Sequence, residues 1–426
     1  MHPRVLVISN NSFSMSNSNG RTLGNLFYAW PKEKLAQMCV IAQDPNWELC
    51  DNYYCIEDKN VLHSFTHIQK AYGRKLVKNE IKLEKHQLVY NTKKVDIGKK
   101  TLVKVILREL VWAHKRWNSI DFQQWLDEFN PECLVLQFGD SFFMFDIAYH
   151  IATTRNIPLV IYNTEGYYFF PRNWHHVTKI DWLLFPIYNH IYRKKVERVM
   201  KLAKYCVHLN DKLKEDYDRV FGDASTVIYN SSSLECSDAP LLAADTPKIC
   251  YLGNLGLDRD SGIIEIGEVL HSINPKYTIN VYGKANETMQ KRFGEAPGVD
   301  YKGLVSYDEV KRIIAESDIL FHVETENGYK ERQLQYAFTT KIADSVASGR
   351  CFVVYAPEIL ACSKYIIQHR CGWVASNKEE LYSQIEHILY NKKERDEILA
   401  NAKRVAVENH SLIGNADKFQ NILRSV

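Results

Sequence analysis

Three groups of residues have the types and spacing to hold an anionic ligand. The fullest lies in ILFHVETENGYKERQLQYAFTTKIADSVASG. A strand-like run ends at His322 and leaves Glu324 just past its carboxyl end. After a polar stretch, Thr339 or Thr340 suits the N-cap of a helix that carries Lys341 and Asp344 on one face. The first-turn amides and the Lys341 cation match a diphosphate, and Asp344, a turn deeper, matches ribose hydroxyls. The plainer alternative is a surface ion pair on a crossover helix. Strand-end acid, capped helix and closing Gly349 together favour the ligand site.

The second group is CYLGNLGLDRDSG, where a strand runs into Gly253 and Gly256 and Arg259 follows in the turn. Its guanidinium either clamps a diphosphate through paired hydrogen bonds or pairs with Asp258 or Asp260. The third is VLVISNNSFSMSNSNGRTLGNLF, a Ser/Asn-rich loop that reaches Asn19-Gly20, where a helix is expected to begin. Gly20 there lets the backbone approach a phosphate, or simply follows a helix cap.

Positioning these residues requires a particular set of elements. Strand-like runs fall at Val5–Ser9, Cys39–Ala42, Cys133–Phe138, Leu159–Asn163, Tyr205–Leu209, Thr226–Tyr229, Lys248–Leu252, Tyr277–Tyr282, Val299–Lys302, Ile319–His322 and Cys351–Tyr355. Most are unbroken apolar runs, as in parallel strands buried on both faces. Helical patterns such as Tyr307–Glu316 and Glu379–Leu389 separate them, which predicts an α/β architecture of βαβ units. The alternation pauses once, in the Ser/Asp/Pro-rich NSSSLECSDAPLLAADT. The expected organisation is a doubly wound domain over 1–235, a linker over 236–246 and a second over 247–410. Residues 411–426 are expected to form a helix packing back on the first domain.

Composition narrows the class. The chain has 426 residues, 46% hydrophobic and 25% charged, with a formal net charge of +3. These are globular averages, and the charge is too small to argue for a nucleic-acid binder. The ten cysteines form no CxxC pair, and several sit in strand-like runs as buried thiols. MHPRVLVISNN lacks the apolar run of a signal peptide, and no stretch matches a membrane helix; the nearest, around Trp182 to Ile191, contains Pro186. A reduced cytoplasmic protein without a metal centre is expected.

These residues resemble a known family. SNGRT after the first strand, YLGNLGLDR at the restart, FHVE and TTKIADSVASG are similar to the retaining glycosyltransferases of family 4, and within it to the bacterial enzymes of capsule, exopolysaccharide and lipid-linked glycan synthesis. The resemblance implies the GT-B fold, two Rossmann-like domains facing across a cleft. It implies transfer of a sugar from a nucleotide-sugar donor, with retention and without a metal or other cofactor. By the same resemblance Glu324, Arg259 and Lys341 are the catalytic set, with Glu324 on the donor sugar and the two cations on its diphosphate. Gly20, Asn254, Gly303, Val305 and Asp344 would bind the donor; apart from the resemblance, Arg21 and Glu165 are expected on the acceptor side. Two features depart from the family pattern: the second acid is Asp344, not glutamate, and falls later in the chain, with Tyr336 at the usual spacing; and the family's Arg and Lys after the restart strand are replaced, Asn254 following Gly253 and Ser261 preceding Gly262.

A reaction of this type builds negative charge on the leaving diphosphate, which fixed cations and helix N-termini can take up. Replacing Arg259 or Lys341 by alanine is therefore expected to lower turnover more than stability. Glu165, after a strand in VIYNTEGYYF, either helps bind acceptor, acts as a base in an inverting enzyme, or pairs with Arg172.

Charge is unevenly spread. From Lys70 to Arg116 there are fourteen Lys or Arg against four acids, so this stretch carries +10 and the remainder −7. Within TLVKVILRELVWAHKRW, helical spacing sets Leu102, Ile106, Leu110, Ala113 and Trp117 on one face. That face is expected to pack on the sheet, leaving the basic surface for peripheral contact with anionic lipid at the inner face of the membrane. The rival functions are a sugar-nucleotide epimerase of the same fold and a non-catalytic nucleotide-sugar-binding subunit.

Overall fold

The computed structural model describes residues 2–65, 72–78, 101–169, 178–234, 245–324 and 334–426. Most of the 236–246 linker, with residues 70, 71 and 79–100 of the basic stretch, lies outside them. The chain divides into two compact units, Met1–Ile228 with Ala416–Val426, and Tyr229–Asn415.

The first unit is built on eight strands: β1 (Val5–Asn11), β2 (Leu35–Ile41), β3 (Asn52–Cys55), β4 (Arg74–Lys75), β5 (Cys133–Gln137), β6 (Leu159–Asn163), β7 (Tyr205–His208) and β8 (Ser225–Val227). They lie in the order β4-β3-β2-β1-β5-β6-β7-β8, parallel except for β4, which runs against β3 at the edge. The second unit has six: β9 (Ile249–Leu252), β10 (Ile279–Tyr282), β11 (Val299–Gly303), β12 (Ile319–Val323), β13 (Cys351–Tyr355) and β14 (Trp373–Ala375). Their order is β11-β10-β9-β12-β13-β14, all parallel. Each sheet reverses its strand order beside its first strand, the doubly wound arrangement. Unbroken apolar runs form these strands because helices cover both faces: β5, β6, β12 and β13 are buried throughout.

The last helix, Leu412–Ser425, delivers Phe419 and Leu423 into the core of the first unit. Phe419 meets Phe27 edge to face at 5.4 Å, and Gln420 Nε2 donates to the Tyr28 carbonyl at 2.7 Å. In the second unit the two chain crossings are tied together. Ser232 N donates to the His410 carbonyl at 2.9 Å, and His410 Nδ1 donates to the Asn230 carbonyl at 2.8 Å.

The helix Leu102–Ala113 is rotated from the face that its apolar spacing predicts. It buries Leu102, Val105, Glu109 and Trp112, and leaves Leu110 and Ala113 exposed. The helix stops at Ala113, so Trp117 is buried from the following turn instead. Two carboxyl groups explain the rotation. Glu109 accepts from the Phe142 and Phe143 amides at 3.1 and 2.9 Å, capping the helix Phe143–Arg155. Asp181, fully buried, accepts from the Leu102 and Val103 amides at 2.9 and 3.3 Å, capping the helix Leu102–Ala113 itself. Capping two helices inside the unit outweighs keeping every apolar side chain inward, because orphaned buried amides are costly. Glu109→Ala should therefore lower stability by about 1–3 kcal/mol, read as a lower urea midpoint with an unchanged slope.

Candidate functional site

All strands of the second sheet run parallel, so their carboxyl ends share one edge, and the order reverses between β9 and β12. Loops leaving those two strands part in opposite directions and open the crevice in which sheets of this kind take ligands. Arg259 follows β9 and Glu324 follows β12 at this point. The helix Thr340–Ala347 approaches the same edge before β13.

Leu257 and Asp258 both take the left-handed conformation, at φ 65° and 62°, uncommon for residues with a side chain. This turn starts a helix at Arg259, running to Ile273, with Arg259 itself buried. Its Nη2 donates to Glu324 Oε1 and Oε2 at 2.9 and 2.8 Å, and Nε to Oε2 at 3.0 Å. Nη1 reaches the Gly256 carbonyl at 3.3 Å. His322 Nε2 donates to Glu324 Oε1 at 3.2 Å from the buried last turn of β12. Burial alone would raise the Glu324 carboxyl. The hydrogen bond and charge of His322, and those of Arg259, outweigh it and hold the group at about 2. Burial lowers the His322 imidazole from its ordinary value, against the pull of Glu324, and its buried Nδ1 has no partner among the described residues.

Lys341, in the first turn of Thr340–Ala347, differs. Its ammonium lies 5.5 Å from the Tyr251 ring centroid and against Gly253, where a Cβ would collide with it. Among the described residues it has no hydrogen-bond acceptor. Burial, and then the Arg259 charge, push its pKa down to about 8, against the pull of Glu324. Thr339 stands at the N-cap without capping, and its buried Oγ1 has no partner among the described residues. There is no acid in that first turn. One cation, a helix start that its N-cap side chain does not cap and, among the described residues, two orphaned polar atoms therefore collect at the switch point, an arrangement suited to an anion.

The other expected residues fall in two places. Asn254 is exposed in the loop after β9 and accepts from the Gly256 amide at 2.8 Å. Gly303, at φ 85°, ends β11, with Val305 half-buried beyond it on the same carboxyl edge. Asp344 accepts from the Ser232 hydroxyl at 2.7 Å, and Asn230 Nδ2 holds the Phe338 carbonyl at 2.7 Å, so the segment crossing into this unit braces the helix. Gly20, Arg21 and Glu165 belong to the first unit. The helix there begins at Ser18, earlier than expected, because Asn17 caps it. Gly20 thus lies within that helix, buried, with the Ser12 carbonyl and Ser14 amide where a side chain would be. Glu165 follows β6 half-buried, its carbonyl accepting from the Tyr217 hydroxyl at 3.2 Å. The sequence marks His322 and Gly253 only as the end of one strand-like run and the start of the loop after another, and it marks Tyr251 by nothing beyond its place near a strand end.

Residues 266–421, spanning Gly303, Glu324, Lys341 and Asp344, match a protein-family model described as "Glycosyl transferase-like". No curated protein matches the sequence. Solved structures do. HepE of Anabaena in complex with UDP superposes at a TM-score of 0.62 with 11% identity, covering 99% of this chain and 100% of that one. Sucrose-phosphate synthase from Thermosynechococcus elongatus gives 0.60 and 11%, over 99% and 98%. WaaG, a glycosyltransferase involved in lipopolysaccharide biosynthesis, gives 0.57 and 13%, over 99% and 100%. At these identities the likeness establishes the fold, which is that of the GT-B glycosyltransferases.

The pair also changes what Arg259 can report. Because its guanidinium neutralises Glu324 inside the unit, Arg259→Ala strands a buried carboxylate and damages folding as well as any activity. Glu324→Ala should cost about 3–5 kcal/mol, while replacing both residues by apolar ones of similar volume should return much of it. With the folded carboxyl at about 2 and an unfolded one near its ordinary 4.5, this stability is complete above pH 4.5 and lost as pH falls towards 2. Thermal unfolding of the three proteins across acidic pH measures it.

Proposed function

We propose that the protein is a glycosyltransferase that moves a hexosyl group from a nucleotide-sugar donor to a glycan or lipid-linked glycan. The proposal includes retention of anomeric configuration, no resident metal, and a place in bacterial surface-polysaccharide synthesis at the inner face of the cell membrane, with the basic 70–116 stretch towards anionic lipid. The single observation that carries it is Lys341. It is a half-buried cation held without an acceptor among the described residues, at the head of an uncapped helix on the switch point of the second sheet. The family match over 266–421 and the GT-B likeness support the class. HepE structures hold UDP and UDP-glucose, which makes a uridine diphosphate sugar the first donor to try.

Each residue then has a task. The amides of the Thr340–Ala347 helix and the Lys341 ammonium meet the diphosphate and take up the charge that grows on it as the glycosyl bond breaks. Arg259 is held at the diphosphate side by its bonds to Glu324, which stands at the donor-sugar position. Gly253 leaves room for Lys341, while Gly303 and Val305 border the position of the base. Asp344 is proposed for the ribose, and Arg21, Gly20 and Glu165 for the acceptor side and the phosphate approach.

An ammonium held at about 8 rather than 10.5 costs the free protein stability at neutral pH, a cost that fades between pH 8 and 10.5 as the folded and unfolded lysines both lose their protons. Lys341→Met should therefore melt a few degrees higher than wild type at pH 7 without ligand. It should also lose the stabilisation that UDP or UDP-glucose gives the wild type, and lose transfer. Differential scanning fluorimetry with UDP-, GDP- and dTDP-sugars checks both. A ligand shift undiminished in the variant would remove Lys341 from the site.

A further inference from the structure

The helix Lys179–Leu202 buries Asp181, Tyr188, Tyr192, Val196 and Val199. Its opposite face presents Ile180, Leu183, Ile187 and Ile191, exposed by 60, 67, 62 and 41%, with Trp182 at 67%. Those four aliphatic residues recur at helical spacing and make one stripe rather than scattered surface residues. The helix Leu102–Ala113 packs against it and leaves Leu107 and Leu110 each 57% exposed.

The charges around these side chains are one-sided. In 101–117 and 178–196 the acids are Glu109 and Asp181, and both are buried as helix caps. Asp58, on the neighbouring helix Asp58–His63, accepts from Arg108 and from the Trp112 indole, each at 2.8 Å. Lys104, Lys115 and Lys179 are exposed. The outer surfaces of the two helices thus combine aliphatic and aromatic groups with positive charge.

We infer that this face lies on an anionic lipid bilayer, its apolar side chains entering the boundary between headgroups and acyl chains and its lysines meeting lipid phosphates. An amphipathic surface with interfacial tryptophan and flanking cations has the chemistry for that site. A second copy of the chain would set lysines against lysines. Among the described residues no helix is long and apolar enough to cross a membrane, so the contact lies along the surface. The inference extends the proposed membrane contact from the basic 70–116 stretch to the apolar stripe of Lys179–Leu202. It rests on the proposed function only in bringing a lipid-linked acceptor within reach.

The test is co-sedimentation of the full chain with phosphatidylglycerol-containing vesicles and with phosphatidylcholine vesicles, across salt concentrations. The wild type should bind the anionic vesicles. Leu183→Gln with Ile187→Gln should bind at least about tenfold more weakly at every salt concentration. Lys104→Gln with Lys179→Gln should weaken binding several-fold, mostly at low salt. Both double variants should keep the wild-type melting temperature, since the altered side chains are exposed. Failure of the wild type to bind, or wild-type binding by the Leu183/Ile187 variant, would overturn the inference. So would a wild-type dimer that the Leu183/Ile187 variant converts to monomer without any vesicle binding. Vesicle binding is read without donor or transfer, so failure of the donor site leaves this result standing, and the reverse.

Discussion

A lysine ammonium without an acceptor among the described residues, beside a guanidinium that a carboxylate has already neutralised, sets the character of the second unit's carboxyl edge. Three ionic groups crowd there, and only two cancel. Arg259 and Glu324 form a buried pair with four hydrogen-bonded or bridging contacts counting His322. Lys341 is left to face Tyr251, Gly253 and the head of its own helix. Burying an uncompensated cation is unfavourable in the free protein, and under the proposed function an anion bound at this edge would offset that cost.

The surrounding fold keeps that arrangement from relaxing. Two left-handed residues aim Arg259 back at β12, and Gly253 removes the side chain that would displace Lys341. The segment entering the second unit holds the approach to the Thr340–Ala347 helix through Asn230 and holds the helix through Ser232. An aromatic cluster of Tyr229, Phe338, Tyr365 and His410 fixes the same approach; Phe338 lies 5.1 Å from Tyr365 and 5.3 Å from Tyr229. With so many partners the helix head cannot swing to find itself a cap. In the first unit the same economy appears in Glu109 and Asp181, which cap helices inside and so leave the outer surface to lysines and aliphatic groups.

Much of the fold was readable because buried parallel strands leave unbroken apolar runs. Each of the eleven runs overlaps an observed strand. The strands without such a run, NYYC, RK and WVA, are two to four residues long, too short for pattern to separate them from loop. Tyr307–Glu316 was exact in extent because Ser306 and Glu309 form a capping box that marks its start. The rotation of Leu102–Ala113 was not readable, since it depends on amides of a distant helix that Glu109 caps. At the site, Glu324, Arg259 and Lys341 stood out by type and by position at strand and helix ends. That Arg259 would spend its charge on Glu324, sixty-five residues away, required the three-dimensional structure. His322 carried no signal beyond standing next to the strand end, and Gly20 read as a loop residue because Asn17 was not recognised as the cap.

The most direct test of the central claim is proton uptake on binding UDP, measured by titration calorimetry near pH 8 in buffers of different ionisation enthalpy. If the Lys341 ammonium meets the diphosphate, its pKa rises from about 8 on binding. The wild type should then take up a fraction of a proton, and Lys341→Met should take up none. UDP binding with equal, buffer-independent heats in both proteins would contradict the account.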